Sequence, residues 1–201
     1  MEVIDNFELI KKHINCGNDE FFLCQVIQRG KDQINGCNSK QRTIRSYYVS
    51  NPEYLDEKKS DIITMCEKYN ARAYINLNKK SKKQIALKSL ENIAHMISSE
   101  NYKGLFSVID SSCGQTGACD GNKTWLVDID SKETCVIEEV IDVINECEPF
   151  GVEKVVEVVP TLHGYHLITK PFNKKKFRDN YNDKIDIHDN NPTLLYYCKK
   201  D

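Results

Sequence analysis

No apolar run in the sequence approaches the roughly 18 residues that would span a bilayer. Charged residues make up 29% against 40% hydrophobic, so a membrane-embedded chain is not expected. The opening of a secreted protein is also missing. MEVIDNFELIKKH carries acids where an export signal carries its basic end, and no long apolar core follows. Cysteines in regular pairs are lacking too: the nine present are an odd number at irregular spacing, which points to reduced thiols in a cytoplasm. CGQTGAC sets Cys113 and Cys119 around a glycine-containing loop, either two incidental thiols or a metal clip. The spacing is a poor match to zinc sites, which use pairs two to four residues apart. A net charge of -2 and a pI of about 6.2 exclude the uniform basic field of a histone-like binder. Repeats and low-complexity segments are absent. Cys113 and His163 could be paired on paper as a hydrolase, but no strand-turn-helix nucleophile elbow accompanies them.

What is present is a chain of 201 residues, enough to bury a sizeable core as one domain. FELIKKHI reads as a short helix. EFFLCQVIQR and RTIRSYYV read as a hairpin around a Gly/Asn/Ser/Lys loop. Asn51-Pro52 opens a helix with Leu55, Ile62, Ile63 and Cys66 near helical spacing, and ARAYINLN is a strand. Ser81 caps a second helix, where Ile85, Leu90, Ile93, Ala94 and Ile97 are expected to form one apolar stripe. A loop over about residues 110 to 122 leads to the strand KTWLVDID and a helix from about Glu133 to Glu148. The strands EKVVEVVP and GYHLITKPF follow, then a short basic helix near NKKKFRDNY, then KIDIHDN and TLLYYCK. This order predicts an α+β fold of helices on a mostly antiparallel sheet, with residues 1–70 as a small N-terminal α/β part and 71–201 as the main body. Tyr47, Tyr48, Tyr196, Tyr197 and Trp125 read as core packing, and His13 and His95 as ordinary helical residues.

The chemistry concentrates on three short strands. In WLVDIDS, alternation points Asp128 and Asp130 to one face and Val127 and Ile129 to the other. Two carboxylates held this close repel unless a cation lies between them, and a divalent metal is the natural occupant. The bland alternative is an exposed strand end that merely begins a turn. In PTLHGYHLITKPF, Gly164 permits close approach by another chain or a phosphate. His166 is expected on the strand facing the acids, and His163 in the turn. In KIDIHDNNPTLLY, Asp186 and His188 share a face opposite Ile185 and Ile187. Acids and imidazoles gathered on one sheet face call for metal or phosphate to neutralise them. Two lysine clusters, Lys79 to Lys83 and Lys174, Lys175, Lys176 with Arg178, are either solvated faces or phosphate contacts.

The segments Val127-Asp128-Ile129-Asp130, Gly164-Tyr165-His166 and Ile185-Asp186 together resemble, in order, the three motifs of the archaeo-eukaryotic primase superfamily, the primase-polymerases. RAYINLN, GYHLITKPF and DIHDNNPTLLY further resemble small primase-like proteins of bacteriophages and gut bacteria, and the likeness covers roughly residues 71 to 198. It implies an RRM-like catalytic half and the addition of nucleotides to a 3′-end on a nucleic-acid template. Two divalent ions, Mg²⁺ or Mn²⁺, would be held by Asp128, Asp130 and Asp186. His166 would contact the triphosphate of the incoming nucleotide, with Gly164 leaving room for it. Lys170 and the Lys174 to Arg178 cluster would neutralise phosphates of nucleotide or template. Asn190 or Asn191 would position a backbone, and His188 would orient Asp186. Nucleoside triphosphates and single-stranded or primed nucleic acid are the expected partners. The acidic overall charge adds the expectation of a helicase or other replication protein to supply template binding. Two other classes use the same residues: a metal-dependent nuclease or phosphodiesterase with water as nucleophile, and a nucleotide or single-strand binding module without chemistry.

Overall fold

The computed structural model describes residues 2–30, 40–117, 123–181 and 185–199. Its strands form two antiparallel sheets. The first is built from β1 (Glu2–Asp5), β2 (Glu20–Gln28), β3 (Arg42–Val49), β4 (Arg72–Ile75), β5 (Lys80–Ser81) and β10 (Thr193–Lys199), in the order β1-β10-β4-β2-β3 with β5 extending β4's side of β2. The second holds β6 (Trp125–Ile129), β7 (Val155–Pro160), β8 (Tyr165–Thr169) and β9 (Asp186–His188), in the order β7-β8-β6-β9. The α+β class with antiparallel pairing is therefore as expected, but the strands divide into two sheets. β4 and β10 lie with the N-terminal hairpin.

The first sheet is backed by α1 (Phe7–Lys11) and α2 (Pro52–Tyr69). α2 begins as its sequence dictates: the Asn51 side chain accepts a hydrogen bond from the Tyr54 N–H at 2.7 Å, with Pro52 in the first turn. It ends at Asn70, whose φ of 46° is a left-handed cap. Leu55, Ile62 and Cys66 pack into the core with Cys24, Val26, Val49 and Ile75. α1 is shorter than the FELIKKHI pattern suggests, and it is preceded by β1, which the sequence reading did not resolve.

α3 (Lys82–Ser98) is capped by Ser81, whose hydroxyl accepts from the Gln84 N–H at 3.1 Å. Its stripe is not where the periodicity put it. Ile85 is buried against Phe21, Leu23 and Cys113, while Leu90, Ala94 and Ile97 are exposed. The inward face is instead fastened by polar groups: Ser89 Oγ donates to Ser112 Oγ at 3.0 Å, and Asn92 Nδ2 donates to the same oxygen at 3.1 Å. Ser112 belongs to α4 (Val108–Gln115), inside the stretch expected to be loop. A helix of Ser and Gly content has poor intrinsic propensity, and tertiary contacts override that here.

The second sheet is a βαββαβ unit, β6-α5-β7-β8-α6-β9, with α5 (Thr134–Glu146) and α6 (Lys174–Tyr181) on one face. Its central pair β6 and β8 separates β7 from β9, which is the split arrangement shared by RRM-like domains. Val127, Ile129 and Leu167 point to the helices and meet Ile137, Val140, Ile144 and Phe177. On the opposite face, Leu126 and Ile168 join the core of the first sheet. Asn6 Nδ2 fastens the two sheets by donating to the carbonyls of Pro160 and Leu194, both at 2.9 Å. Among the described residues no helix is long and apolar enough to cross a membrane.

Candidate functional site

Strand pairing brings the three sequence motifs together. Asp128 is directly opposite His166 on β8 and directly opposite Asp186 on β9, so the three form one row across the sheet. In the next row Leu126 lies between Ile168 and His188. Asp130 follows at the end of β6. The row faces the first sheet, and a cleft of about 540 Å³ lies between, lined on this side by Asp128, Asp130, His166 and His188. A smaller cavity of about 200 Å³ adjoins it, lined by Asp128, Asp130, Asp186 and Val136.

Electrostatics in the row are unbalanced. Burial, and then the neighbouring Asp130 and Asp186 carboxylates, push the Asp128 carboxyl above the ordinary aspartate range, with His188 and Arg29 pulling the other way. His166 is pushed down to about 4, first by burial and then by His188. Its ring is therefore neutral at pH 7. Its Nδ1 lies 3.0 Å from the Thr193 hydroxyl, while Nε2 is 3.6 Å from Asp128, too far for a hydrogen bond. A neutral ring that accepts from Thr193 at Nδ1 presents its one N–H at Nε2, toward the cleft and Asp128.

At Gly164 the close approach is by another stretch of chain, the first of its two expected roles. A Cβ there would lie 1.8 Å from the Ile129 carbonyl oxygen and 2.7 Å from the Ser131 nitrogen. The space is filled by backbone, not held open for a phosphate. The missing side chain lets the β7–β8 turn press against the end of β6 where Asp130 is carried. His163, in that turn, also lines the cleft, so both histidines of the motif face it.

The opposite wall supplies cations that the sequence reading passed over. Arg29, just past β2, and Arg72, on β4, line the cleft, as does Tyr74. Arg72 is buried and its guanidinium stacks on the Tyr197 ring at 4.3 Å. Arg29 donates weakly to the Tyr74 hydroxyl at 3.5 Å. The pairing Ile27↔Arg72 places both arginines at one end of the sheet, a coincidence visible only once β2 is paired with β4.

The basic residues expected to hold phosphates lie elsewhere. Lys170, Lys174, Lys175, Lys176 and Arg178 do not line the cleft, because α6 packs by Phe177 against the helix-bearing face of the second sheet. Lys174 pairs with Asp189 and covers the Trp125 ring at 4.0 Å, and Lys176 donates to the Glu146 carbonyl at 2.6 Å. Lys170 donates to the Glu153 carbonyl at 3.2 Å. In the other cluster, Lys79 pairs with Glu20 at 3.2 Å and Lys80 is buried, donating to the Thr116 carbonyl. Asn190 is taken up by the frame: its Oδ1 accepts from Asn76 and Asn78 at 3.1 and 3.2 Å, whereas Asn191 lines the cleft. Cys113 is buried among apolar side chains with its thiol pushed up to about 11, unsuited to metal ligation, and Cys119 lies outside the described residues.

A hard divalent cation fits the chemistry of the acids, since Asp128, Asp130 and Asp186 offer oxygen ligands and Asp130 and Asp186 repel the Asp128 carboxylate. The ligand set is incomplete. Among the described residues no group of three His, Cys, Asp or Glu side chains is arranged to hold one ion, so the expected convergence of the three carboxylates is not realised. Asp186, on a three-residue edge strand, is the exposed member of the row. No family model, curated protein or solved structure matches the chain.

Proposed function

We propose that this chain is a nucleotidyltransferase of the primase-polymerase type, adding nucleotides from nucleoside triphosphates to a 3′-end on a nucleic-acid template. One observation carries the reading: His166, Asp128 and Asp186 form a single row on a βαββαβ sheet, and His166 and Asp128 face a cleft whose far wall bears Arg29 and Arg72, while Asp186 lines the smaller cavity beside it. Carboxylates on one wall and guanidinium groups on the other suit a ligand that is anionic and metal-bound, as a nucleoside triphosphate is. Arg29 and Arg72 would hold phosphate oxygens. In the tautomer that accepts from the Thr193 hydroxyl at Nδ1, neutral His166 would donate its Nε2 hydrogen to a phosphate oxygen. Asp128, Asp130 and Asp186 are the oxygen ligands that would hold Mg²⁺ or Mn²⁺, although their set is open as the structure stands. When bound there it would supply charge stabilisation for the attacking and leaving oxygens of phosphoryl transfer. α6 has no part in holding the incoming nucleotide on this reading.

A binding module without chemistry is the second reading, and the open ligand set among the three carboxylates favours it. Incubation with primed and unprimed single-stranded template, all nucleotides and Mg²⁺ or Mn²⁺ separates the two. Extension that is lost in Asp130→Ala, with the variant's circular dichroism unchanged, supports transfer. Strand shortening in place of extension identifies a phosphodiesterase using the same acids. Triphosphate binding without turnover identifies the module.

A further inference from the structure

Three asparagine side chains meet where the chain leaves the second sheet for the first. Asn78 Nδ2 donates to the Thr124 carbonyl at 2.9 Å and to Asn190 Oδ1 at 3.2 Å, while Asn78 Oδ1 accepts from the Thr124 N–H at 2.7 Å. Asn76 Nδ2 donates to the Asn190 carbonyl at 3.0 Å and to Asn190 Oδ1 at 3.1 Å, and Asn76 Oδ1 accepts from the Asn78 N–H at 2.9 Å. Asn76 and Asn78 are buried. A buried amide is costly unless its donors and acceptors are met, so a satisfied set of this kind admits few other arrangements of the backbones it joins.

The clasp sits on both sheets at once. Carried two residues beyond Leu126↔His188, the β6–β9 register brings Thr124 level with Asn190. Carried three residues beyond Ile75↔Thr193, the β4–β10 register brings Asn78 level with the same residue. On one side of Asn190 the chain runs back to His188 and Asp186, and on the other it runs on to Thr193, whose hydroxyl meets His166 Nδ1 at 3.0 Å. β9 has only three residues and lies at the sheet's edge, so its own ladder holds it by few bonds and its anchors matter more. Asp189, next to the clasp, is held from outside by Lys174 and by Lys123 at 4.0 Å. None of the three asparagines lines the cleft, so any effect they have on a ligand passes through other residues. We propose that Asn76, Asn78 and Asn190 are positioning residues of the candidate site, fixing where β9 and β10 part and thereby holding Asp186 and His188 beside β6 and Thr193 against His166. What that geometry serves rests on the transferase reading, whereas the geometry itself can be tested without it.

The test is the ring ¹⁵N spectrum of His166 at neutral pH, with calorimetric affinities for Mn²⁺ alone and for Mn²⁺ with ATP. Asn190→Ala removes the oxygen that both amides share. It should shift the His166 ring nitrogens toward the averaged values of a free imidazole, leave His95 on α3 unmoved, and weaken Mn²⁺ and ATP binding by about tenfold or more, as loss of a ligand-orienting partner does. Asn78→Ala should act in the same direction. Asn190→Asp keeps an acceptor for both amides and should return the His166 signals of the parent. Ile62→Ala, in the α2 core on the face of the first sheet opposite the cleft, lowers the melting temperature without touching the clasp and should leave those signals in place. Unmoved His166 signals in Asn190→Ala overturn the proposal. So does an Asn190→Asp spectrum that matches Asn190→Ala, or an equal shift in Ile62→Ala. A parent that binds neither Mn²⁺ nor ATP sinks the transferase reading, and the ring signals then decide the clasp by themselves.

Discussion

Replacing Gly164 by alanine adds one methyl group at the tightest point of the site. The new Cβ would lie 1.8 Å from the Ile129 carbonyl oxygen, 2.7 Å from the Ser131 nitrogen and 2.9 Å from the Ile129 carbonyl carbon. All three are backbone atoms, so no side chain can swing aside, and either the β7–β8 turn or the end of β6 must move by more than an ångström. Overpacking of this kind costs about 3 kcal/mol, the upper part of the usual range, because the obstacle is rigid. For a chain of 201 residues that corresponds to a fall in melting temperature of about 6 to 12 °C. The displaced end of β6 carries Asp130, so triphosphate binding measured well below the new melting temperature should weaken too. Gly114→Ala is the control. It lies in α4 with nothing within 4 Å of its added Cβ, and alanine there should be neutral or stabilise by up to about 1 kcal/mol. A melting temperature for Gly164→Ala within about 2 °C of the parent, less than 1 kcal/mol, would refute the claim that the glycine is there for backbone approach.

The other expectations concern charge. Between about pH 6.5, the value of a free histidine, and about 4, the value His166 is pushed to, the unfolded chain binds a proton that the native ring refuses. Stability therefore falls as pH drops through that window, and His166→Gln should lessen the fall in urea midpoint between pH 7 and pH 5. Equal acid slopes for parent and variant would count against a buried neutral ring. Asp128 is raised, so the native state holds its proton more tightly than the unfolded chain, and the stability this contributes at low pH is lost as pH rises. Asp128→Asn should accordingly be as stable as the parent or more so at pH 7, while Mn²⁺-dependent nucleotide binding, followed by calorimetry, declines. A lower melting temperature would mean the carboxylate is well paired. Arg29→Ala should weaken triphosphate binding by roughly tenfold, the loss of one charge-assisted hydrogen bond, with little change in melting temperature. Unchanged affinity would remove Arg29 from the phosphate wall.

Local signals were legible where one segment decides the outcome. Asn51-Pro52 and Ser81 start α2 and α3 by hydrogen bonds that reach three residues ahead. Alternation in VDID, YHL and DIH put the polar residues on one face, and the strand register agrees. Tyr47, Tyr196 and Tyr197 are core as expected, although Tyr48 is 40% exposed, donating to Asp110 at 2.7 Å. What failed depends on distance along the chain. Leu90, Ala94 and Ile97 of α3 are exposed although they fit a core stripe, because periodicity reports an apolar face without reporting what it meets. The lysines around residue 176 drew attention by density, yet α6 is turned so that Phe177 packs and the lysines serve helix ends and a tryptophan face. Arg29 and Arg72 stand alone in sequence and acquire meaning only by pairing. The likeness to primase-polymerases drew attention to the acids but could not report that their ligand set is open.

The division of labour between the sheets bears on how the site is built. Residues 71–201 contain every motif residue and the whole βαββαβ unit, and the sequence invites treating them as the functional body. The structure adds two contributions from outside that unit. β10 crosses back to the first sheet and brings Thr193 to within 3.0 Å of His166 Nδ1, while β2 and β4 supply the arginine wall. β10 and β4 are held in place by the N-terminal strands on either side, β1 beyond β10 and β2 beyond β4. Without those strands, both edges of the β4–β10 pair would be unpaired, and Asp128 would face solvent with no Arg29 to offset its neighbours. A cluster of like charges can be kept ionised either by exposure to water or by opposite charge held nearby, and of the second kind the second sheet offers Asp128 only His188, to which the first sheet adds Arg29. The N-terminal hairpin is thus part of the site's electrostatics, and the chemistry of the acids has to be assigned to both sheets together.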